Sequence, residues 1–421
     1  MRARLWVYAV LMIVMAGGMN GTLLVSFAQA KDEMRTFDLD RIIDLALERN
    51  PAILGAKSVI EQNEGLRTQA SAYPNPTISG QTGSGALRDP STGPRVTEYG
   101  MSLHQTVEWP GMRAARQDAA ESGLVGATVG LDEAKLNLIA EVKQVFYELL
   151  LAERTVDLLQ QNLEIVQEVA RIVRARVRSG EGPQFESVKA EVEVLKAKQE
   201  MTKAKNVVRV KLVGLDTLTA GALGARYKVQ GDFRSLRDRL DPDQMASRDP
   251  SQHPTLKRQG KLVEQAELTV TKERQSRVPN VTLFGMYARE TGREGVIGGV
   301  SLPTPLWYRQ QGHIATALGT QRKEEAELIR ARNDLIRAIN QHAHEAETAQ
   351  DQILVYEEGL IKQAQEALRI AQLSFRQGAS SLLDVLDAQR VQRQITVDYN
   401  QARFELSQAL TRFERAVGGP L

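Results

Sequence analysis

Two carboxylates, Asp384 and Asp387, are the first residues in this chain whose spacing suggests chemistry. At i and i+3 they share one face of a helix, where a pair of negative charges can draw in or gate cations. A simpler role competes. Ser381-Leu-Leu-Asp384 has the form of a capping box, and acids favour a helix start for that reason alone. The five histidines (His104, His253, His313, His342 and His344) suggest a metal less strongly. His342 and His344 are two apart on a helical stretch and point to different faces. No His, Asp or Glu group has ligand spacing, so no metal site and no cofactor are assigned. There is no nucleophile motif, phosphate loop or acid–base pair, which argues against an enzyme.

Composition narrows the setting. Residues 1–30 carry Arg2 and Arg4, an apolar run from Leu5 to Met15, and a closing Ala28-Gln29-Ala30, the pattern of a secretory signal. The 54 basic and 52 acidic residues become 52 of each once Arg2 and Arg4 are removed, so nothing points to nucleic acid. There is no cysteine, hence no disulfide and no acylated N-terminal cysteine. No later stretch resembles a transmembrane helix; entry into a membrane would require β-barrel strands.

The elements that must position Asp384 and Asp387 are long. Gly111 to Arg178 spans 68 residues without proline, roughly 100 Å as one helix. From Leu138 to Val177 its apolar residues step by four and three, the heptad seam of supercoiling helices. Leu158, Ile165 and Ile172 mark a second seam, so a neighbour is expected on each side. Ahead of this helix, Tyr99 to Trp109 alternates: Tyr99, Met101, Leu103, Val107 and Trp109 face one way, and Gly100, Ser102, His104, Thr106 and Glu108 the other. Turn signals at Arg88 to Pro94 make residues 75–87 and 96–109 a hairpin.

The order then repeats. Trp109 to Trp307, Gly180 to Gly378 and Ala190 to Ala388 all differ by 198 positions, which argues for internal duplication. The expected organisation is a signal (1–30), a first repeat (31–220), a linker (221–249) and a second repeat (250–421). The first repeat has a long helix over 111–178 and a return helix over 184–215. The second has strands over 280–290 and 295–305, a long helix over 311–377 and a return helix over 381–417. In the first repeat, Glu186 and Lys189 stand where Asp384 and Asp387 do, so the carboxylate pair is not doubled.

Four strands with an outward apolar face cannot close a barrel, and open edges are not tolerated in lipid. The chain must oligomerise. Three copies give twelve strands, within the outer-membrane range; two or four copies fit the pattern as well.

The layout resembles the outer-membrane efflux protein family, the TolC-like channels, over essentially the whole mature chain. The residues that carry it are Ala46-Leu47 with Asn50-Pro51, Tyr73-Pro74-Asn75-Pro76, and Phe375-Arg376-Gln377-Gly378 with Leu383 to Ala388. The run Gln105-Thr106-Val107-Glu108-Trp109-Pro110-Gly111-Met112-Arg113, followed by Arg116, is similar to the strand-to-helix junction of the heavy-metal efflux branch, with Met112 in place of the usual lysine. The resemblance implies a homotrimer, mostly α, with a twelve-stranded outer-membrane β-barrel continuing into a periplasmic α-helical barrel. It implies an exit duct linked through a periplasmic adaptor to an inner-membrane pump of the resistance–nodulation–division type, with metal cations as cargo. It makes Asp384 and Asp387 the pore constriction. Gly180, Arg176, Arg178, Gly378, Arg376 and Gln377 become the adaptor-contact tips, and Tyr99, Trp109 and Trp307 the membrane-interface aromatics. Two other readings remain: a duct for an ATP-driven exporter of drugs or polypeptides, and a periplasmic coiled-coil scaffold without a pore.

Overall fold

The computed structural model describes residues 35–86, 94–235, 240–247 and 249–420. The expected signal segment at 1–30 and residues 88–93 of the expected turn lie outside them. The chain runs β1 (Arg35–Phe37), α1 (Leu39–Arg49), α2 (Pro51–Ser71), β2 (Thr77–Ala86), β3 (Arg95–Val107), α3 (Pro110–Arg178) and α4 (Gln184–Leu218). It continues through β4 (Tyr227–Val229), α5 (Pro242–Ala246), α6 (Pro254–Gln275), β5 (Val281–Glu290), β6 (Arg293–Ser301), α7 (Gln311–Val355), α8 (Ile361–Arg376) and α9 (Leu382–Val417).

The helices begin and stop where local chemistry directs. Asn50 closes α1 and caps α2, accepting from the Ala52 amide at 2.8 Å, with Pro51 in the first turn. Pro110 likewise opens α3, which reaches 69 residues. Most of the expected seam, including Leu138, Val142, Leu149, Leu163, Val166, Ala170 and Val173, is buried.

One expectation is corrected. The second long helix is not continuous over 311–377. A π turn at Tyr356–Leu360 separates α7 from α8, and Gly359 has non-helical backbone angles there. Glycine has weak helical preference, so an extra residue is accommodated most easily beside it.

Two sheets form. β2, β3, β5 and β6 make a four-stranded antiparallel sheet in that order, while β1 and β4 pair in parallel. The second pairing was not foreseen, because two three-residue strands 192 positions apart leave no periodic signal. Phe37 meets Tyr227 edge-on at 6.1 Å, and both join a core with Ile42, Phe146, Leu149 and Leu215. Each large side chain so buried contributes about 1.5–3 kcal/mol. A second core lies toward the hairpin tips (Val169, Val173, Phe375, Val385), and a third joins α7 to α9 through Ile339, Leu406, Leu410 and Phe413, covered by Met245 of α5.

A strap at Asp232–Arg234 ties α3 to α9. Asp232 meets Arg403 at 3.1 Å and Arg154 at 3.6 Å. Arg234 and Lys143 each reach Glu414 at 2.7 Å. Burial would raise the Glu414 carboxyl, but the Lys143 and Arg234 bonds outweigh it and hold it below its ordinary range.

Candidate functional site

The sheet has one continuous apolar face. Met101 pairs with Tyr287, Leu103 with Ile78, and Val300 with Leu283, and all of these side chains are exposed. Tyr99 leans on Tyr287 with ring centroids 6.3 Å apart, near the β5–β6 turn; Trp109 stands at the other end of the strand. Ten residues at ~3.3 Å separate them by roughly 33 Å along the strand. A tilt of about 40° brings this to roughly 25 Å, the height of an outer-membrane apolar band. Trp307 is 92% exposed and Trp109 43%. On the opposite face His104 stacks on Phe284 at 5.7 Å. Among the described residues, the outer edges of β2 and β6 have no partner strand.

The junction between sheet and helix is a clamp. The Arg116 guanidinium donates to both oxygens of Glu108, at 2.6 and 2.8 Å, and to the carbonyls of Ala70 and Ala72 at the end of α2. The Glu108 side chain is only 5% exposed. Arg113 bonds the Ser71 carbonyl and lies over the Tyr73 ring at 4.0 Å. Trp109 donates from its indole to Gln275 at 3.0 Å, and its amide donates to Asn280. The motif singled out in the sequence therefore locks β3, α2 and α3 at one fixed angle.

The hairpin tips are built alike. Gly180 and Gly378 both have φ +78°, which glycine alone adopts freely. Glu181 N–H bonds the Arg176 carbonyl, and Ala379 N–H bonds that of Ser374, so each helix closes with the same wrapped turn. Arg178, Arg376 and Gln377 are exposed. Arg176 is not turned outward. Its guanidinium bonds the Phe375 carbonyl and sits over the Phe375 ring at 4.6 Å, holding one tip to the other. Phe185 (72% exposed) and Leu383 (59%) each stand second in a return helix, 198 positions apart. Sequence reasoning passed over Phe185 and gave Leu383 only as part of the family motif, although the repeat offset would have paired them.

Asp384 and Asp387 both lie exposed in the first turns of α9. Asp384 makes the capping box: one carboxylate oxygen accepts from the Ser381 amide and hydroxyl, both at 2.8 Å. The Ser381 amide bond, then the hydroxyl bond, hold its carboxyl below the usual aspartate range. Asp387 is uncommitted to the cap, and its nearest cation is Arg390 at 3.8 Å. Glu186 sits in the first turn of α4, as a helix-start acid should.

The histidines take separate posts. His253 caps α6 and its Nε2 lies 2.9 Å from the Arg415 carbonyl; His342 meets Glu345 and His344 meets Glu347. Among the described residues no three His, Cys, Asp or Glu side chains form a group able to hold a metal ion. None of the described helices is long and apolar enough to cross a membrane.

A family model described as outer membrane efflux protein matches the chain twice, over residues 42–221 and 250–419. The chain belongs to the outer membrane efflux protein family. Its place is the outer membrane, and its family and fold are those of channel proteins rather than enzymes. The cobalt-zinc-cadmium resistance protein CzcC of Cupriavidus metallidurans is 25% identical over 90% of each chain. The pyoverdine export outer membrane protein OpmQ of Pseudomonas putida is 26% identical over 91% of this chain and 86% of its own. Among solved structures, a membrane protein from Pseudomonas aeruginosa superposes with a TM-score of 0.77 over 92% of this chain and 91% of that one, at 17% identity. The Campylobacter jejuni CmeC outer membrane channel gives 0.76 over 90% and 85%, at 18% identity. CusC, solved in a study of transmembrane channel formation, gives 0.75 over 90% and 92%, at 15% identity. The fold is thus TolC-like: mostly helical with a small sheet portion.

Proposed function

We propose that three copies of this chain form the exit duct of a tripartite efflux system, a twelve-stranded barrel above a helical tunnel. One observation carries the reading: among the described residues, the sheet and both helical rows each end in two different open edges. The sheet runs β2-β3-β5-β6. One helical row runs α2-α3-α6-α7, and the row toward the tips runs α4-α3-α9-α8. At each level one edge comes from the first repeat and the other from the second. Head-to-tail contacts of this kind close into rings. Exposed apolar side chains mark the free helices, Val188, Val192 and Leu195 on α4 and Ile370 and Leu373 on α8.

In this duct Asp387 contributes a ring of carboxylates at the periplasmic mouth, with Asp384 beside it. Tyr99, Trp109 and Trp307 sit at the lipid interfaces. Gly180, Arg178, Gly378, Arg376 and Gln377, joined by Phe185 and Leu383, meet a periplasmic adaptor coupled to an inner-membrane pump. The cargo is metal cations; the CzcC relative and the Glu108-to-Arg116 junction support this. A second reading, export of an organic molecule, is favoured by the similar identity to OpmQ, 26% against 25%.

Planar-bilayer recording of the purified protein tests the duct, and heat-modifiable migration tests the oligomer. A stable oligomer with discrete conductance is expected, with Asp387→Ala reducing block by divalent cations. A soluble protein without conductance would sink the reading. A deletion strain sensitised to cobalt, zinc and cadmium supports metal cargo; sensitivity to organic compounds alone supports the second reading.

A further inference from the structure

Between α7 and α9 the chain leaves a cleft of about 650 Å³. Gln341, Glu345 and Gln352 line it from α7, and Gln401, Glu405 and Gln408 from α9. The carboxylates are held in place. Gln341 donates to Glu345 at 2.7 Å, the His342 ring lies 2.8 Å from the other Glu345 oxygen, and Gln401 donates to Glu405 at 2.8 Å. Gln408 is 4% exposed. Its amide nitrogen donates to the Gln144 carbonyl on α3 at 3.0 Å, while its Oε1 is buried with no partner among the described residues. A buried acceptor left without a donor is unfavourable and calls for one from outside the chain.

Two relationships say which way the cleft opens. The opposite face of α7 and α9 carries Ile339, Ala343, Leu410 and Phe413, which pack with Leu240 and Met245. The α9 side of the cleft also continues a heptad-spaced line from the tip: Asp387, Gln394, Asp398, Gln401, Glu405, Gln408 and Arg412 fall on one face. Along α9 the cleft thus lies on the same heptad line as Asp387.

We propose that this cleft is a holding site for a hydrated divalent cation in the wall of the conduit. The inference rests on the duct reading and adds a second station above the Asp387 ring. Glu345, Glu405 and the Gln408 oxygen offer only acceptors. No described group of three ligands is able to strip a cation bare, so the cation keeps its water shell and is held through it. Arg412 at the edge of the cleft offsets one of the two negative charges. The hold is therefore weak, as conduction requires: a site must fill and also empty.

Calorimetric titration of the detergent-solubilised protein tests this with magnesium and with cobalt(III) hexaammine, whose inert ammine shell binds only through its hydrogens. Wild type should take up one hexaammine per chain in the cleft, and Glu345→Gln/Glu405→Gln should weaken that uptake about tenfold. The milder Glu405→Gln should show a smaller loss, with heat-modifiable migration confirming that each variant is folded. Unchanged affinity in the double variant, or uptake abolished by Asp387→Asn alone, overturns the cleft site. Bilayer recording alongside separates the two ideas: conductance without cleft binding sinks only this inference, and absent conductance sinks the duct.

Discussion

Arg116 grips Glu108 through both terminal nitrogens, joining the end of β3 to the second turn of a 69-residue helix. The same guanidinium closes the end of α2 through two backbone carbonyls. Removing it leaves a carboxylate almost fully enclosed. Arg116→Ala should therefore destabilise the folded protein by about 3 kcal/mol. Arg116→Lys should recover only part of this, since an ammonium cannot fork across two oxygens. The temperature at which the heat-modifiable oligomer converts reads the loss, and the emission of neighbouring Trp109 reports it locally. Equal stability of Arg116→Ala and wild type would refute the clamp.

Arg176 works between the two hairpins of one chain, so it should govern how far their tips separate. The half-buried Arg176 over the Phe375 ring contributes on the order of 1 kcal/mol, enough to bias the spacing without deciding the fold. Arg176→Ala should broaden the distance distribution between spin labels at Ser179 and Ala379 while leaving overall helicity unchanged. A distribution as narrow as that of wild type would show that packing around Phe375 alone fixes the tips.

Glu414 gives the strap a pH dependence. Burial favours its neutral form, but Lys143 and Arg234 hold its folded carboxyl below the ordinary value of 4.5. The folded state therefore binds fewer protons than the unfolded one. The stabilisation is full above pH 4.5 and is lost as the pH falls from there through the depressed folded value. Glu414→Gln should flatten this slope and, at neutral pH, leave Lys143 and Arg234 facing each other uncompensated, with a loss of about 3 kcal/mol. Denaturation midpoints at pH 7 and pH 4 measure both effects.

Much of the architecture is legible because it is periodic. The heptad steps from Leu138 to Val177 foretell the buried face of α3, and the alternation from Tyr99 to Val107 foretells the apolar face of the sheet. Gly180 and Gly378 announce left-handed turns because no other residue takes that conformation freely. The candidate site was legible only as residue types. Ser381 and Asp384 form a cap visible at a spacing of three, yet nothing local says that Asp387 stays outside it. Arg176 looked like an outward tip charge until the second hairpin came beside it.

The sequence by itself determined the faces of the elements and the turns between them, because each depends on residues within a few positions of one another, and it showed the repeat through one shared offset. Tertiary structure alone decided the rest. It paired β1 with β4, set Arg116 on the end of α2, laid Arg176 on Phe375, and opened the cleft between α7 and α9. These arrangements join positions up to 199 residues apart. No helical or strand periodicity reaches that far; they exist only once packing has brought distant segments side by side.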